Sequence, residues 1–194
     1  MSYRNFSARI EGASPLLLHN IRLSDPLDEH AKAIKVVAKK RTKTDDDLEE
    51  LSRLEWLGSI YEHGGRLVMP GANLTACIRD AGKTRKLGTA VKRGLLMPGD
   101  WEIDHRYIKK SIQVMSRMSE MRERKSMKVG QARVMRTFPC VRDWSISFTG
   151  SFHPEIMNIE DIEDLLNLAG QVTGIGDLRP NYGRFSVTSF METD

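Results

Sequence analysis

Apolar and polar positions alternate along three stretches of the chain, which is typical of half-buried β-strands. The alternation is clearest over residues 144–152 and is also present at 6–10 and 184–190. Residues 66–69 form a further short apolar run that predicts an extended segment. The pattern therefore predicts strands at the beginning, in the second half and at the end of the chain.

Apolar residues recur at helical spacing in three other stretches. Thr44, followed by three aspartates, is a good N-cap for a helix that includes residues 48–61. Residues 74–81 carry one apolar stripe, and Asn73 is the cap expected for that helix. A third stripe covers residues 159–169.

The order of these elements predicts the fold class. Residues 27–62 are expected to form a helical insertion, and without them the order is strand, helix, strand, strand, helix, strand. We therefore predict an α+β, ferredoxin-like (RRM-type) fold with a βαββαβ core, as a single domain over residues 1–194. Residues 104–132 have no dominant period, so that a basic hairpin or loop insertion and a packed helix both remain open there.

The charge is segregated along the chain, although the net charge is only +4. Residues 104–136 contain ten Lys and Arg against three Asp and Glu, and residues 79–93 contain six against one. From residue 155 onward the balance reverses, with two against eight. Such runs are often plain solvated surface, but a folded chain that gathers them on one face would attract a polyanion.

The candidate nucleic-acid-binding residues are the cations of these basic runs together with a glycine-rich segment and its flanking arginines. They are Arg79, Lys83, Arg85, Lys86, Lys92, Arg93, Arg117, Arg122, Arg124, Lys125, Lys128, Gly174, Gly176, Arg179 and Arg184. Glycine tolerates positive φ and lets backbone N–H groups approach a phosphate closely, and an arginine fork matches two phosphate oxygens. The glycines are explained equally well by a tight turn from a helix into an edge strand. Trp101, Tyr107 and Tyr182 are candidates for stacking on bases.

Several segments together resemble the RAMP superfamily, whose members form the RNA-binding backbone of CRISPR effector complexes. Residues 69–79 are similar to that family's turn-and-helix motif, with Thr75 where lysine is usual, and residues 174–185 are similar to its C-terminal glycine-rich loop. Leu16–Leu18 resembles the family's opening motif, but the glycines that follow it there are absent. The C-terminal half also resembles a group of phage- and prophage-encoded proteins without a settled role.

The resemblance implies a protein that coats single-stranded RNA, such as a guide RNA, within a multi-subunit or filamentous ribonucleoprotein. It also implies that residues 104–132 act as a thumb-like insertion that reaches over bound RNA or onto a neighbouring subunit. The expected partners are single-stranded RNA or single-stranded DNA and copies of the chain or other subunits, in an antiviral or phage setting. Two alternatives stay open: a metal-independent endoribonuclease, and a phage protein that imitates a CRISPR subunit.

The sequence does not indicate a catalytic, metal or cofactor site with any specificity. None of the five histidines has a metal-ligand spacing, and neither a P-loop nor a nucleophile elbow is present. By the resemblance, His19, Asp25 and Asp28 lie where some RAMP relatives cut RNA. Capping, turn formation and solvation explain these three residues at least as well.

The expected location is cytoplasmic. No apolar run approaches the roughly 18 residues needed to cross a bilayer, and the first ten residues lack a signal-peptide layout. Cys77 and Cys140 fit neither a metal pattern nor a disulfide scaffold, which favours a reducing compartment.

Overall fold

The computed structural model describes residues 2–193, which contain ten strands and six α-helices. The strands are β1 (Arg4–Gly12), β2 (Leu16–Leu17), β3 (Glu62–His63), β4 (Arg66–Pro70), β5 (Leu95–Leu96), β6 (Asp100–His105), β7 (Arg122–Val129), β8 (Ala132–Val141), β9 (Trp144–Phe152) and β10 (Phe185–Thr193). The helices are α1 (Glu29–Ala38), α2 (Asp45–Ser59), α3 (Gly71–Lys83), α4 (Gly88–Gly94), α5 (Ile112–Met115) and α6 (Ile159–Leu168). Within this part of the chain, no helix combines the length and the apolar character needed to cross a membrane.

The central sheet has the strand order β10-β1-β9-β6, and every neighbouring pair is antiparallel. Helix α3 lies between β1 and β6 along the chain, and α6 lies between β9 and β10. This is the ferredoxin-like βαββαβ arrangement, and it confirms the predicted α+β fold class. Strands β4 and β3 extend the sheet beyond β6, while β5 pairs with the end of β9.

The core lies between this sheet and the two helices. Alternate residues of β1 and β9 are buried on the helical side, while serines and threonines of the same strands face away. The helices contribute the apolar stripes that the sequence predicts. Their buried members are Leu74, Cys77, Ile78, Ala81, Ile162, Leu165 and Leu166.

Helix α2 begins as expected, but the start of α3 differs from the prediction. Thr44 and Asp47 form a capping box, in which each side chain accepts from the other residue's backbone N–H. For α3 the N-cap is Pro70, which offers no side-chain acceptor, and the predicted cap Asn73 lies inside the helix. The first residue of α3 has to be a glycine, because a Cβ at Gly71 would lie 1.9 Å from the Met97 carbonyl oxygen.

Strand β6, which the sequence did not predict, ends at His105, where the segment without a dominant period begins. After a turn and the short helix α5, strands β7 and β8 form an antiparallel hairpin that closes through Gly130 and Gln131. We call β7 and β8 the basic hairpin. Its second strand continues to Val141, beyond the expected boundary at 132, and pairs with β2 to form a separate three-stranded sheet. The hairpin alternative is therefore the one that the chain adopts.

Candidate nucleic-acid interface

The glycine loop (residues 174–184) joins the helical layer to β10 and lies against β2. The Asp177 N–H donates to the Leu17 carbonyl at 2.8 Å, and the Gly183 N–H donates to the Pro15 carbonyl at 2.8 Å. The loop is thus fixed to the segment that follows β1, so that side chains on the loop have defined neighbours.

Close backbone approach accounts for the glycines of this loop. Gly176 has φ of 84° and Gly183 has φ of 71°, and a Cβ on either would overlap a backbone oxygen. The Gly174 N–H, which the sequence assigned to a phosphate, donates instead to the Ala169 carbonyl at 2.8 Å. The tight-turn explanation therefore holds for the loop, and any anion binding there depends mainly on its side chains.

Three of the candidate cations meet around one carboxylate. Asp80 lies 2.8 Å from Lys83 Nζ, 3.6 Å from an Arg79 Nη atom and 3.6 Å from an Arg179 Nη atom. The hydrogen bond from Lys83, with the nearby arginines, lowers the pKa of Asp80 below its ordinary value. Three positive charges around one negative charge leave an excess of two, on side chains that are partly exposed to solvent. We call these four residues the Asp80 cluster.

The basic hairpin packs against the other side of the glycine loop. Lys125 Nζ lies 5.4 Å from the centre of the Tyr182 ring, and Met127 belongs to a small apolar cluster with Leu178 and Tyr182. Hydrogen bonds to Tyr182 and then Glu123 raise the pKa of Lys125, so that its ammonium stays charged. Members of both basic runs therefore reach the glycine loop.

Three neighbouring cavities of about 390, 210 and 460 Å³ lie beside these features and share lining residues. We call the three cavities together the groove. The first and second share His19 and Asp177, and the second and third share Gly176, Asp177 and Arg179. The charged residues along the groove are Lys35, Glu55, Asp80, Lys128, Arg136, Asp177 and Arg179.

The acids of the groove are largely offset by cations. Glu55 accepts a hydrogen bond from Arg136 at 2.7 Å, and Asp80 is surrounded by its cluster. Lys35 and Lys128 are at least partly exposed at the wall of the first cavity. With Asp177, which lines all three cavities, the lining holds four cations and three acids, so that a chain of phosphates there would meet a net excess of one positive charge.

Other predicted cations lie away from the groove. Arg122 pairs with Glu49 of α2 at 3.0 Å, and Arg85 pairs with Asp164 of α6 at 3.2 Å. Arg117 is close enough to Glu50 to contribute to the lowered pKa of that carboxyl. The remaining predicted cations are at least partly exposed on α4, on β7, at the loop between α3 and α4, and at the end of the glycine loop. They are Lys86, Lys92, Arg93, Arg124 and Arg184.

The three aromatic candidates differ in what their rings contact. Trp101 packs against the core, with its ring 5.8 Å from that of Phe148. The Tyr107 hydroxyl donates to Glu120, and its ring also packs on the core. Tyr182 lies beside the basic hairpin and is the aromatic candidate nearest the groove.

Several groove residues were missed by the sequence reasoning. Lys35 lies on α1, inside the stretch set aside as an insertion. Arg136 lies on β8 and Glu55 on α2, and their pairing joins positions 81 residues apart. A local pattern could have indicated that each is charged, but not that they share a cavity.

The candidate catalytic residues have different surroundings. Asp28 accepts from the N–H groups of His30 and Ala31 and so caps α1, whereas Asp25 accepts from the Leu27 N–H and so stabilises the turn before that helix. His19, in contrast, lines the groove. Burial raises the pKa of the Cys77 thiol to about 12, which is unsuited to a nucleophile. Among residues 2–193, no group of three His, Cys, Asp or Glu side chains is placed to hold a metal ion.

The class defined by this geometry is a ferredoxin-like α+β chain with a partly basic groove between a hairpin and a glycine-rich loop. No protein-family model matches the chain. No curated protein matches it either. Among solved structures it is similar to the one described as "Crystal structure of Cmr6 from Pyrococcus furiosus", with 12% sequence identity over 96% of this chain and 99% of that chain. The TM-score of 0.38 is too low for this likeness to decide fold or function, which rest on the geometry above.

Proposed function

We propose that this chain binds single-stranded nucleic acid, and RNA in particular, along the groove. The observation that carries the proposal is that cations from separate segments line neighbouring cavities that share residues. Lys35 comes from α1, Lys128 from the basic hairpin and Arg179 from the glycine loop. Phosphates spaced along a flexible strand can follow such a path, whereas a small anion would need one point of convergence.

We further propose that the chain does so as one subunit of an assembly, bound to copies of itself or to other subunits. Large apolar side chains are exposed on the segment from the end of β2 through α1. Ile21 is 79% exposed, Leu27 is 74% exposed and Val36 is 68% exposed. Apolar side chains grouped on one segment favour a protein partner over open solvent.

The test is fluorescence anisotropy with labelled single-stranded RNA and DNA over a range of salt concentrations. Each phosphate neutralised in the groove releases condensed counterions, so that the logarithm of the affinity should fall by about 0.7 per phosphate for each decade of salt. We expect a slope equivalent to several phosphates, with RNA bound at least as tightly as DNA. Absence of binding at low salt, or binding that ignores salt, would refute the proposal.

One observation also supports a second candidate, a metal-independent endoribonuclease. His19 and Asp177 line both the first and the second cavity, and Arg179 lines the second. An imidazole can accept the proton of an RNA 2′-hydroxyl as its oxygen attacks the adjacent phosphorus and the 5′-oxygen leaves, taking a proton from water. An arginine can stabilise the negative charge that develops on the nonbridging phosphate oxygens. Incubation of end-labelled RNA with the native chain and with His19→Ala tests whether the chain cleaves the RNA that it binds. If fragments form equally with both proteins, His19 is not the catalytic group.

A further inference from the structure

The first cavity of the groove lies between α1, α2 and the basic hairpin, and we call it the Glu55 cavity. Its volume of about 390 Å³ is within the range of small-ligand sites. We propose that it binds one unstacked guanine base of the strand in the groove. This inference rests on the proposed function and adds that the chain recognises one particular base of the bound strand.

The walls of the Glu55 cavity suit a flat ring. Leu23 and Ile34 line it from the α1 side, and Met127 and Phe138 line it from the basic hairpin. The His19 ring lies 5.7 Å from the Phe138 ring, at an angle of 51°. Bases that leave the stack of a single strand are commonly held by apolar and aromatic side chains in this way.

Glu55 supplies the polar group that would select the base. Its side chain is only 6% exposed, and it accepts from Arg136 Nη1 at 2.7 Å and from the Thr137 N–H at 2.8 Å. A carboxylate has about four acceptor positions, so that about two remain for a ligand. Guanine presents two neighbouring donors, N1–H and the N2 amino group, which match the two oxygens of a carboxylate.

The other bases fit this acceptor less well. Uracil presents one N–H between two carbonyl oxygens, which a carboxylate repels. Adenine and cytosine each present one amino group beside a ring nitrogen that is itself an acceptor. The cavity therefore discriminates by the number of donors on the base edge.

Cations at the rim of the Glu55 cavity can pair with the backbone phosphates of the bound nucleic acid. Lys35 on α1 and Lys128 on β7 are both solvent-accessible cations that line the cavity from different elements. They are the cations that phosphates on either side of an inserted base would meet. The same cavity thus offers cations for the backbone, apolar walls for the ring and a carboxylate for the base edge.

The experiment compares labelled oligouridylate with the same oligonucleotide carrying one central guanine, by fluorescence anisotropy at fixed salt. The native chain should bind the guanine-containing strand about tenfold more tightly. Glu55→Gln should lose this preference, and because it also removes a negative charge from the groove it should bind oligouridylate at least as tightly as the native chain does. The matched control is Glu49→Gln, on the same helix but outside the cavity, which should keep the preference.

A second variant protects the test against a folding defect in Glu55→Gln. Ala31 lines the cavity and is 5% exposed, so that Ala31→Leu fills the space and leaves the carboxylate intact. Thermal unfolding checks that each variant is folded, and folded Ala31→Leu should also lose the preference. Equal affinity of the native chain for the two strands, or a preference that persists in Ala31→Leu, overturns the guanine site while the proposed function stands. Failure to bind either strand overturns the proposed function and the guanine site together.

Discussion

Gly176 lies where the glycine loop passes closest to β2, and its missing side chain permits the approach. A Cβ at this position would lie 2.3 Å from the Leu17 carbonyl oxygen, at a φ of 84°. The same loop carries Arg179 into the groove. The position of Arg179 in the groove therefore depends on Gly176, although we do not propose that Gly176 itself contacts a ligand.

We expect Gly176→Ala to destabilise the chain by about 2–4 kcal/mol, because it adds steric overlap to the cost of a positive φ. Gly65→Ala is the matched control, since Gly65 has φ of 79° and a Cβ added there would meet no atom within 4 Å. That control should cost only about 1 kcal/mol. Urea unfolding of the two variants measures the difference. Equal losses would show that close packing against Leu17 is not what requires the glycine.

At the scale of elements, the sequence predicted helices and strands best where the apolar periodicity and the capping residues agree. Thr44 and the apolar spacing after it predicted α2, and the capping box is present. Strand β6 was missed because it is short and adjoins an irregular basic run, so that alternation over six residues gave a weak signal. Asn73 was placed as a cap on propensity, but α3 already begins at Gly71, with Pro70 as its N-cap.

Helix α2 carries Glu55, so its stability bears on the groove. Thr44→Ala removes a side chain that accepts from the Asp47 N–H at 3.3 Å, and we expect a loss of about 1 kcal/mol. Thr89→Ala, on the surface of α4, is the control and should change stability by less than about 0.5 kcal/mol. The measurement is the midpoint of chemical unfolding. If the two variants lose the same amount, the capping box contributes nothing specific.

At the scale of the whole molecule, the sequence predicted the fold class better than the arrangement of residues around the groove. Strand order follows from the sequence of elements, whereas the groove depends on pairings between distant positions. Arg136 pairs with Glu55, which is 81 residues away in sequence, and Arg179 pairs with Asp80, about half the chain length away. Such pairings are set by the packing of the basic hairpin and the glycine loop, which local patterns do not encode.

Three capped or ion-paired carboxyls predict how stability depends on pH. The pKa of Asp28 is lowered chiefly by the Ala31 N–H, that of Asp47 by Lys40 and that of Asp80 by Lys83. A carboxyl whose folded pKa lies below its ordinary value of 3.8 stabilises the fold above that pH.

We therefore expect the urea midpoint to be flat near neutral pH and to fall as the pH drops below about 4. Asp80→Asn should reduce the dependence, because one of these carboxyls no longer titrates. A midpoint that rises on acidification would contradict the assignment.

The proposed function requires that nucleic acid follows the groove, and a charge-matched pair of variants tests this path. One variant replaces Lys35, Lys128 and Arg179 with alanine, and the other replaces three lysines outside the groove, Lys39, Lys109 and Lys110. Both remove three positive charges, so that long-range attraction falls equally. In anisotropy titrations with single-stranded RNA, the groove variant should lose at least about tenfold in affinity and about 2 units of salt slope, while the control stays close to the native chain. Equal losses in the two variants would show that the strand does not follow the groove.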